Sequence, residues 1–167
     1  GMLYASVARC PVYGGKLVKF DASTALSMPG VQKVVEVKRT GGGVEWSTGV
    51  AVIADSYYKA YQARMTLQIE WDNAGNEKVN SDSIREQFVN MAGKPGVEVM
   101  KKGDAKTALG AASETVEAIY ELPYQAHAPM EPMNCTAHYK GDSIEVWAPS
   151  QSPQWAQGEV ATAVGLK

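Results

Sequence analysis

The chain has 167 residues, 45% of them apolar and 20% charged, with a formal net charge of -2. That is enough apolar material for one buried core and a length of one domain or one and a half. The balanced charge leaves no electrostatic footprint for nucleic acid or an anionic membrane, and neither is expected as a partner. No apolar run approaches the roughly 18 to 20 residues of a membrane span. The N-terminus lacks the basic and apolar regions of a secretory signal, so nothing in this segment reads as targeting. Gly1 before Met2 is either native or a remnant of expression. Cys10 and Cys135 stand far apart, without the close spacing of a zinc site, an iron–sulfur cluster or a redox pair, and are expected to be two buried thiols.

In chain order, residues 3–9 carry valine and tyrosine in weak alternation and predict a strand, which Pro11 and Gly14-Gly15 end. A second short strand spans 16–20. Asp21 then offers an N-cap for a helix over 22–27, which Pro29-Gly30 terminates. Strand character returns over 31–38. Gly41, Gly42 and Gly43 read as a turn into strands at 44–46 and 49–54, not as a phosphate cradle, because no Lys-Ser/Thr follows.

Asp55-Ser56 caps a helix running to about residue 68, with Tyr57, Tyr61 and Met65 spaced by four on what is expected to be a core face. The segment 73–80 is polar and turn-rich. A helix over 81–91 follows, with Ser81 as N-cap and Ile84, Phe88 and Met91 as its apolar stripe, ended by Gly93 and Pro95-Gly96. Residues 97–101 predict a short strand, Asp104 caps a brief helix over 105–111, and 113–122 alternates as a long strand closed by Pro123. Residues 136–139 and 143–148 form a hairpin about Lys140-Gly141-Asp142, and Pro153 suits the first turn of a closing helix. That helix is expected to run out at residue 167 without a cap. Strands and short helices without regular βαβ alternation argue for an α+β fold.

Two segments fit none of these periodicities. Residues 125–135 place His127, Glu131 and Asn134 among prolines and methionines, and residues 146–154 follow a strand with Pro149, Ser150, Gln151 and Pro153. Such composition belongs to loops that position groups, not to packing faces.

The run His-Ala-Pro-Met-Glu-Pro-Met-Asn-Cys-Thr-Ala, unbroken over 127–137, and the strand end Trp147-Ala148-Pro149-Ser150-Gln151 resemble the start of the molybdenum-binding region in the large subunit of the molybdenum hydroxylases. This is the family of xanthine dehydrogenase and aldehyde oxidase, and the nearest branch looks like bacterial isoquinoline 1-oxidoreductase. Serine stands at 150 where that branch usually has threonine, which keeps the hydroxyl. Residues 50–72 also resemble the family's hammerhead domain, with Ala54-Asp55 leading into a helix and a strand closing on Trp71-Asp72.

The resemblance implies an α/β-hammerhead-like mixed sheet with short helices over residues 1–122, then a truncated start of the molybdopterin-binding domain over 123–167, its first hairpin and helix. The implied parent is a molybdopterin-dependent oxidoreductase that hydroxylates N-heterocycles or aldehydes with water as oxygen source. Its pterin is expected in the cytosine dinucleotide form. Its implied partners are the remainder of the large subunit, a small [2Fe-2S] subunit and a small-molecule substrate. Its compartment stays open between bacterial cytoplasm and periplasm, with any signal expected outside this segment.

By position in the motif, Gln151 corresponds to the amide that approaches the apical oxygen on molybdenum, with Ser150 beside it. Glu131, between Met130 and Pro132, is expected to be shielded from water and to orient its loop, its acidity weakened unless a partner is present. His127 is expected to support the same loop. No catalytic residue and no metal ligand is expected here, because the family's base lies near the far C-terminus of the large subunit. The segment alone is thus expected to bind no cofactor and turn over no substrate. Two rival readings are a non-catalytic docking or subunit-assembly module and a small hydrolase using Glu131 and His127. The second lacks a nucleophile, since Ser150 and Ser152 sit in no Gly-x-Ser-x-Gly elbow and Cys135 has no assigned partner. The site reading requires Gln151 and Glu131 to converge on the rim of one pocket.

Overall fold

The computed structural model describes residues 1–38 and 48–166. The predicted glycine turn at 41–43 and strand at 44–46 lie outside the described residues. Strand β4 (Gly49–Ala54) organises the first half of the molecule. Its sequence, GVAVIA, has no polar alternation, and all of it but Ile53 is buried, as suits a strand covered on both sides. Strands β1 (Tyr4–Arg9) and β3 (Val31–Val37) flank it in the order β1-β4-β3, both antiparallel, with Val7 opposite Ala51 and Val34 opposite Val52. Gly49 is demanded by this closeness: a Cβ there would stand 2.5 Å from the Ala8 carbonyl oxygen.

Helices α1 (Ser23–Ser27) and α2 (Tyr57–Arg64) pack on this sheet. The core between them is small: Ala25, Val52 and Ala63 are fully buried, with Met28, Val31, Val34 and Leu67 partly buried around them. Helix α1 begins one residue later than predicted. Ala22 occupies the cap position, while the Asp21 carboxylate accepts from the Ser23 N–H at 2.8 Å. That bond, with a second from the Ser23 hydroxyl, holds the Asp21 carboxyl below the usual carboxylate range. Gly30, at φ +86°, accepts from the Asp55 N–H at 3.0 Å, and a Cβ at this glycine would press on the Asp55 carboxylate at 2.8 Å.

Ser56 caps α2 by accepting from the Lys59 N–H, but the helix ends at Arg64, short of the predicted residue 68. The Met65, Thr66 and Leu67 N–H groups close tight turns onto Gln62, Ala63 and Arg64. Gln68 then enters β5 (Gln68–Asp72), which pairs antiparallel with β2 (Lys16–Asp21), Lys19 bridging Glu70 at 2.9 Å. A competing ladder therefore ends the helix.

The predicted core stripe of α2 is reversed. Ala60 and Ala63 are fully buried, whereas Tyr57, Tyr61 and Met65 are exposed. The sheet is approached closely, and alanine side chains are what such an approach admits. On the outside, Arg64 lies 5.0 Å over the Tyr61 ring and donates from Nη1 to the Val7 carbonyl at 3.0 Å, tying helix to strand.

Beyond Asp72 the character changes. Helix α3 (Ser81–Ala92) is capped by Asn80, not by Ser81: the Asn80 side chain accepts from the Ser83 N–H at 2.9 Å, and the Ser83 hydroxyl accepts in return from the Asn80 N–H at 3.0 Å. Its stripe is amphipathic but uncovered, with Phe88 and Met91 exposed. Helix α4 (Ala105–Ala111) has its predicted cap, Asp104 accepting from the Thr107 N–H at 3.1 Å. Strands β6 (Thr136–Tyr139) and β7 (Ile144–Trp147) make the predicted hairpin, and α5 (Pro153–Val164) starts on Pro153. Contrary to expectation α5 is capped: Gly165 adopts φ +71°, and the Leu166 N–H reaches the Ala161 carbonyl at 2.9 Å.

The predicted strands at 97–101 and 113–122 are not formed. A strand exists only where a neighbour takes its backbone bonds, and neither segment has one among the described residues. The total exposed area of 13861 Å² compares with about 8,000 Å² for a compact monomer of this mass. Mixed helices with small sheets, whose ladders among the described residues are antiparallel, make the fold α+β. Among the described residues no helix is long and apolar enough to cross a membrane.

Candidate functional site

The hairpin β6–β7 sets the geometry. It springs from the first loop at Thr136, pairs Thr136 with Trp147 and His138 with Glu145, and delivers the chain back at Ala148 beside the loop it left. The turn is held by a Lys140 N–H bond to the Ser143 carbonyl at 2.8 Å and by Lys140 on Glu145 at 2.8 Å. Antiparallel return is thus what unites two segments that the sequence separates. Between them lies an open cleft of about 440 Å³, lined by Met130, Glu131, Pro132, Met133 and Asn134 on one side and by Trp147, Ala148 and Pro149 on the other.

The predicted site residues fall differently about this cleft. Glu131 is in its wall, and Ser150 and Gln151 follow directly after its far wall at Pro149. His127 is not among the lining residues. All four are exposed. For Glu131 this corrects the expectation of a water-shielded carboxylate: Met130 beside it is 93% exposed, so the loop's apolar side chains cover nothing. The thiol expectation also needs revision, since Cys135 is exposed and Cys10 half-buried, its Sγ 3.8 Å from Asn73 Oδ1.

Local bonds fix the loop backbone more than the site side chains. Asn134 Nδ2 donates to the Pro132 carbonyl at 3.0 Å across the Pro-Met-Asn turn, and the Glu131-Pro132 peptide is cis. Ala128 adopts φ +48°, a left-handed conformation costly for a residue with a Cβ, immediately before Pro129. The Ser150 hydroxyl accepts from the Ser152 N–H at 3.1 Å, which starts the turn into α5. The Gln151 amide, the Glu131 carboxylate and the His127 ring make no hydrogen bond among the described residues. Gln151 is therefore not spent on closing the strand end.

Met130, Met133, Asn134, Trp147 and Pro149 form most of the cleft wall, yet the sequence reading assigned them no role. Their signal was available: a tryptophan at a strand end ahead of proline, and methionines on both sides of a proline-fixed carboxylate, are expensive to leave in water. Chemically, the cleft offers apolar surface from Met130, Met133, Trp147 and the prolines, one carboxylate and one neutral amide, Asn134, while the Ser150 hydroxyl and Gln151 amide follow its wall in the chain. Among the described residues no group of three or more His, Cys, Asp or Glu side chains gathers to hold a metal ion.

Residues 89–167 match the molybdopterin cofactor-binding domain family. The beta chain of isoquinoline 1-oxidoreductase from Brevundimonas diminuta is 27% identical over 99% of this chain and 21% of its own length. A nicotinate dehydrogenase polypeptide of Pseudomonas putida is 25% identical over 96% of this chain and 13% of its own. The chain thus spans about a fifth or less of these relatives. Quinoline 2-oxidoreductase from Pseudomonas putida 86, in its crystal structure, superposes with a TM-score of 0.65 over 99% of this chain and 25% of that one, at 17% identity, which shows a shared fold. Both site loops lie within the matched span. Over residues 89–167 the chain is similar to the molybdopterin cofactor-binding domain family, and over nearly its whole length it resembles parts of these oxidoreductase chains.

Proposed function

We propose that this chain is part of the large subunit of a molybdopterin-dependent oxidoreductase that hydroxylates N-heterocycles or aldehydes with water as oxygen source. The observation that carries the reading is the cleft in which the 130–134 loop faces the end of β7, inside the span matched to the cofactor-binding family. The donor set fits such a group. A metal already held by a pterin dithiolene needs neutral hydrogen-bonding groups and flat apolar walls from the protein, and not a cluster of ligands. When bound, the cofactor supplies the oxidation chemistry.

This chain's residues then position it. Gln151 would offer its amide N–H as a hydrogen-bond donor to the bound group without adding charge at any working pH. Ser150 fixes the turn that presents Gln151, through the bond it accepts from Ser152. Glu131 and His127 support the first loop. Neither acts as base, a role assigned to polypeptide outside this segment. The proposed division is a hammerhead domain over 1–122 and the start of the cofactor-binding domain over 123–167. The family match begins at residue 89, inside the first of these, and limited proteolysis reads the boundary directly.

The proposed partners are the remainder of the large subunit and a small [2Fe-2S] subunit as electron acceptor, and the proposed cofactor form is the cytosine dinucleotide. The test is elemental and nucleotide analysis of the parent subunit: one molybdenum per subunit, with a cytosine nucleotide released on hydrolysis, is expected. The 167-residue chain alone is expected to carry neither metal nor activity. A parent subunit that purifies fully folded and active without molybdenum overturns the reading. A parent subunit that folds fully but carries neither molybdenum nor activity would favour the docking module instead.

A further inference from the structure

Residues 113–122 alternate as a strand does, yet they form none, and their apolar side chains stand in water: Val116 is 98% exposed, Tyr120 90% and Leu122 94%. One end of the segment is nonetheless held. The Arg85 guanidinium of α3 grips the Glu121 carboxylate with both arms, Nε to Oε2 at 3.0 Å and Nη2 to Oε1 at 2.7 Å. A two-pronged pair of this kind sets orientation as well as distance. In an extended backbone successive side chains point to opposite faces, so once the segment is extended Thr115, Glu117, Ile119 and Glu121 would share one face, the last held by Arg85, and Val116, Ala118, Tyr120 and Leu122 would share the other.

We propose that residues 114–122 are a strand awaiting its ladder, and that the occupant is a strand edge of the remaining large-subunit polypeptide whose sheet presents an apolar face to Val116, Ala118, Tyr120 and Leu122. This inference rests on the reading of the chain as part of that subunit. Three observations select such an occupant over a small ligand or a bare surface. Among the described residues nothing pairs with the segment's backbone donors and acceptors, the form that β-strand addition uses. The 13861 Å² of exposed area exceeds that of a compact monomer by several thousand square ångströms, the scale of an obligate interface and not of a transient one. The relatives are also several times longer than this chain.

The strand leads through Pro123 into the 125–135 loop, so its pairing fixes the root of one wall of the cleft. The Arg85–Glu121 pair gives that strand its facing before the partner arrives.

Hydrogen exchange on the parent large subunit and on the 167-residue chain, side by side, tests this. The expected result is backbone amides 115–121 exchanging at least about 100-fold more slowly in the parent, and without protection in the short chain at any concentration. If the 127–135 and 148–152 loops are protected in the parent while 115–121 are not, the strand proposal fails and the functional reading stands. If none of these segments gains protection, the functional reading fails with it. Protection of 115–121 that appears in the short chain as its concentration rises identifies a second copy as the occupant and overturns the proposal.

Discussion

Residues 1–72 and residues 73–166 are built from similar material but end in different states. The first region closes on itself. β4 is buried between β1 and β3, α2 lays Ala60 and Ala63 against it, and among the described residues every strand has a neighbour. In the second, α3, α4, α5 and the hairpin each satisfy their own caps and turns, yet Phe88, Leu109, Val116, Tyr120, Trp147 and Trp155 remain exposed. Local signals are thus sufficient for helices and a hairpin, whereas a core requires partners distant in sequence. The second region has made its elements but leaves their apolar faces exposed.

The largest effect that separates the regions is a pair of valine truncations. Val52→Ala empties the fully buried centre of the first core and is expected to cost about 2–3 kcal/mol in denaturant unfolding. Val116→Ala, at a side chain exposed to water, should stay within about 0.5 kcal/mol. Equal costs would erase the distinction between the two regions. Next in size is the α3 cap: Asn80→Ala should weaken that helix by about 1 kcal/mol, read as faster amide exchange in residues 81–92 with residues 1–72 unaffected. Loss of protection in both regions together would mean that they unfold as one unit.

Thiol chemistry reads the same contrast without perturbing the protein. Cys135 is exposed and Cys10 half-buried against Asn73. A disulfide reagent should therefore modify Cys135 first, in a fast phase absent from Cys135→Ser. The smallest effect is at Asp104, whose carboxyl is held below the usual carboxylate range by bonds from the Thr107 N–H and hydroxyl. A depressed carboxyl stabilises α4 above its unfolded pKa, and the support is lost as pH falls through the lower folded value. An NMR titration of Asp104 should show its midpoint below the roughly 3.9 of an unperturbed aspartate, and Thr107→Ala should move it back up.

The sequence showed most of the elements because their determinants are local. Ser56, Asp104, Pro153 and the Lys140-Gly141-Asp142 turn all act where their residue types promised. What it concealed was relational. The four-residue spacing of Tyr57, Tyr61 and Met65 is real, but which face of α2 meets the sheet depends on how closely β4 is approached, and alanine won. Residues 113–122 alternate as a strand must, yet alternation does not supply a neighbour. At the site, the two unusual loops were legible from composition, and the hairpin that unites them from its turn. The cleft wall of Met130, Met133 and Trp147 was not, because it exists only once the hairpin brings both loops together.

The decisive variant is Gln151→Ala in the parent enzyme, with molybdenum content and turnover measured on the same preparation. Turnover should fall about 10- to 100-fold with molybdenum retained. Unchanged turnover at full molybdenum content would show that the amide following the cleft wall does not face the cofactor, and would contradict the proposed site.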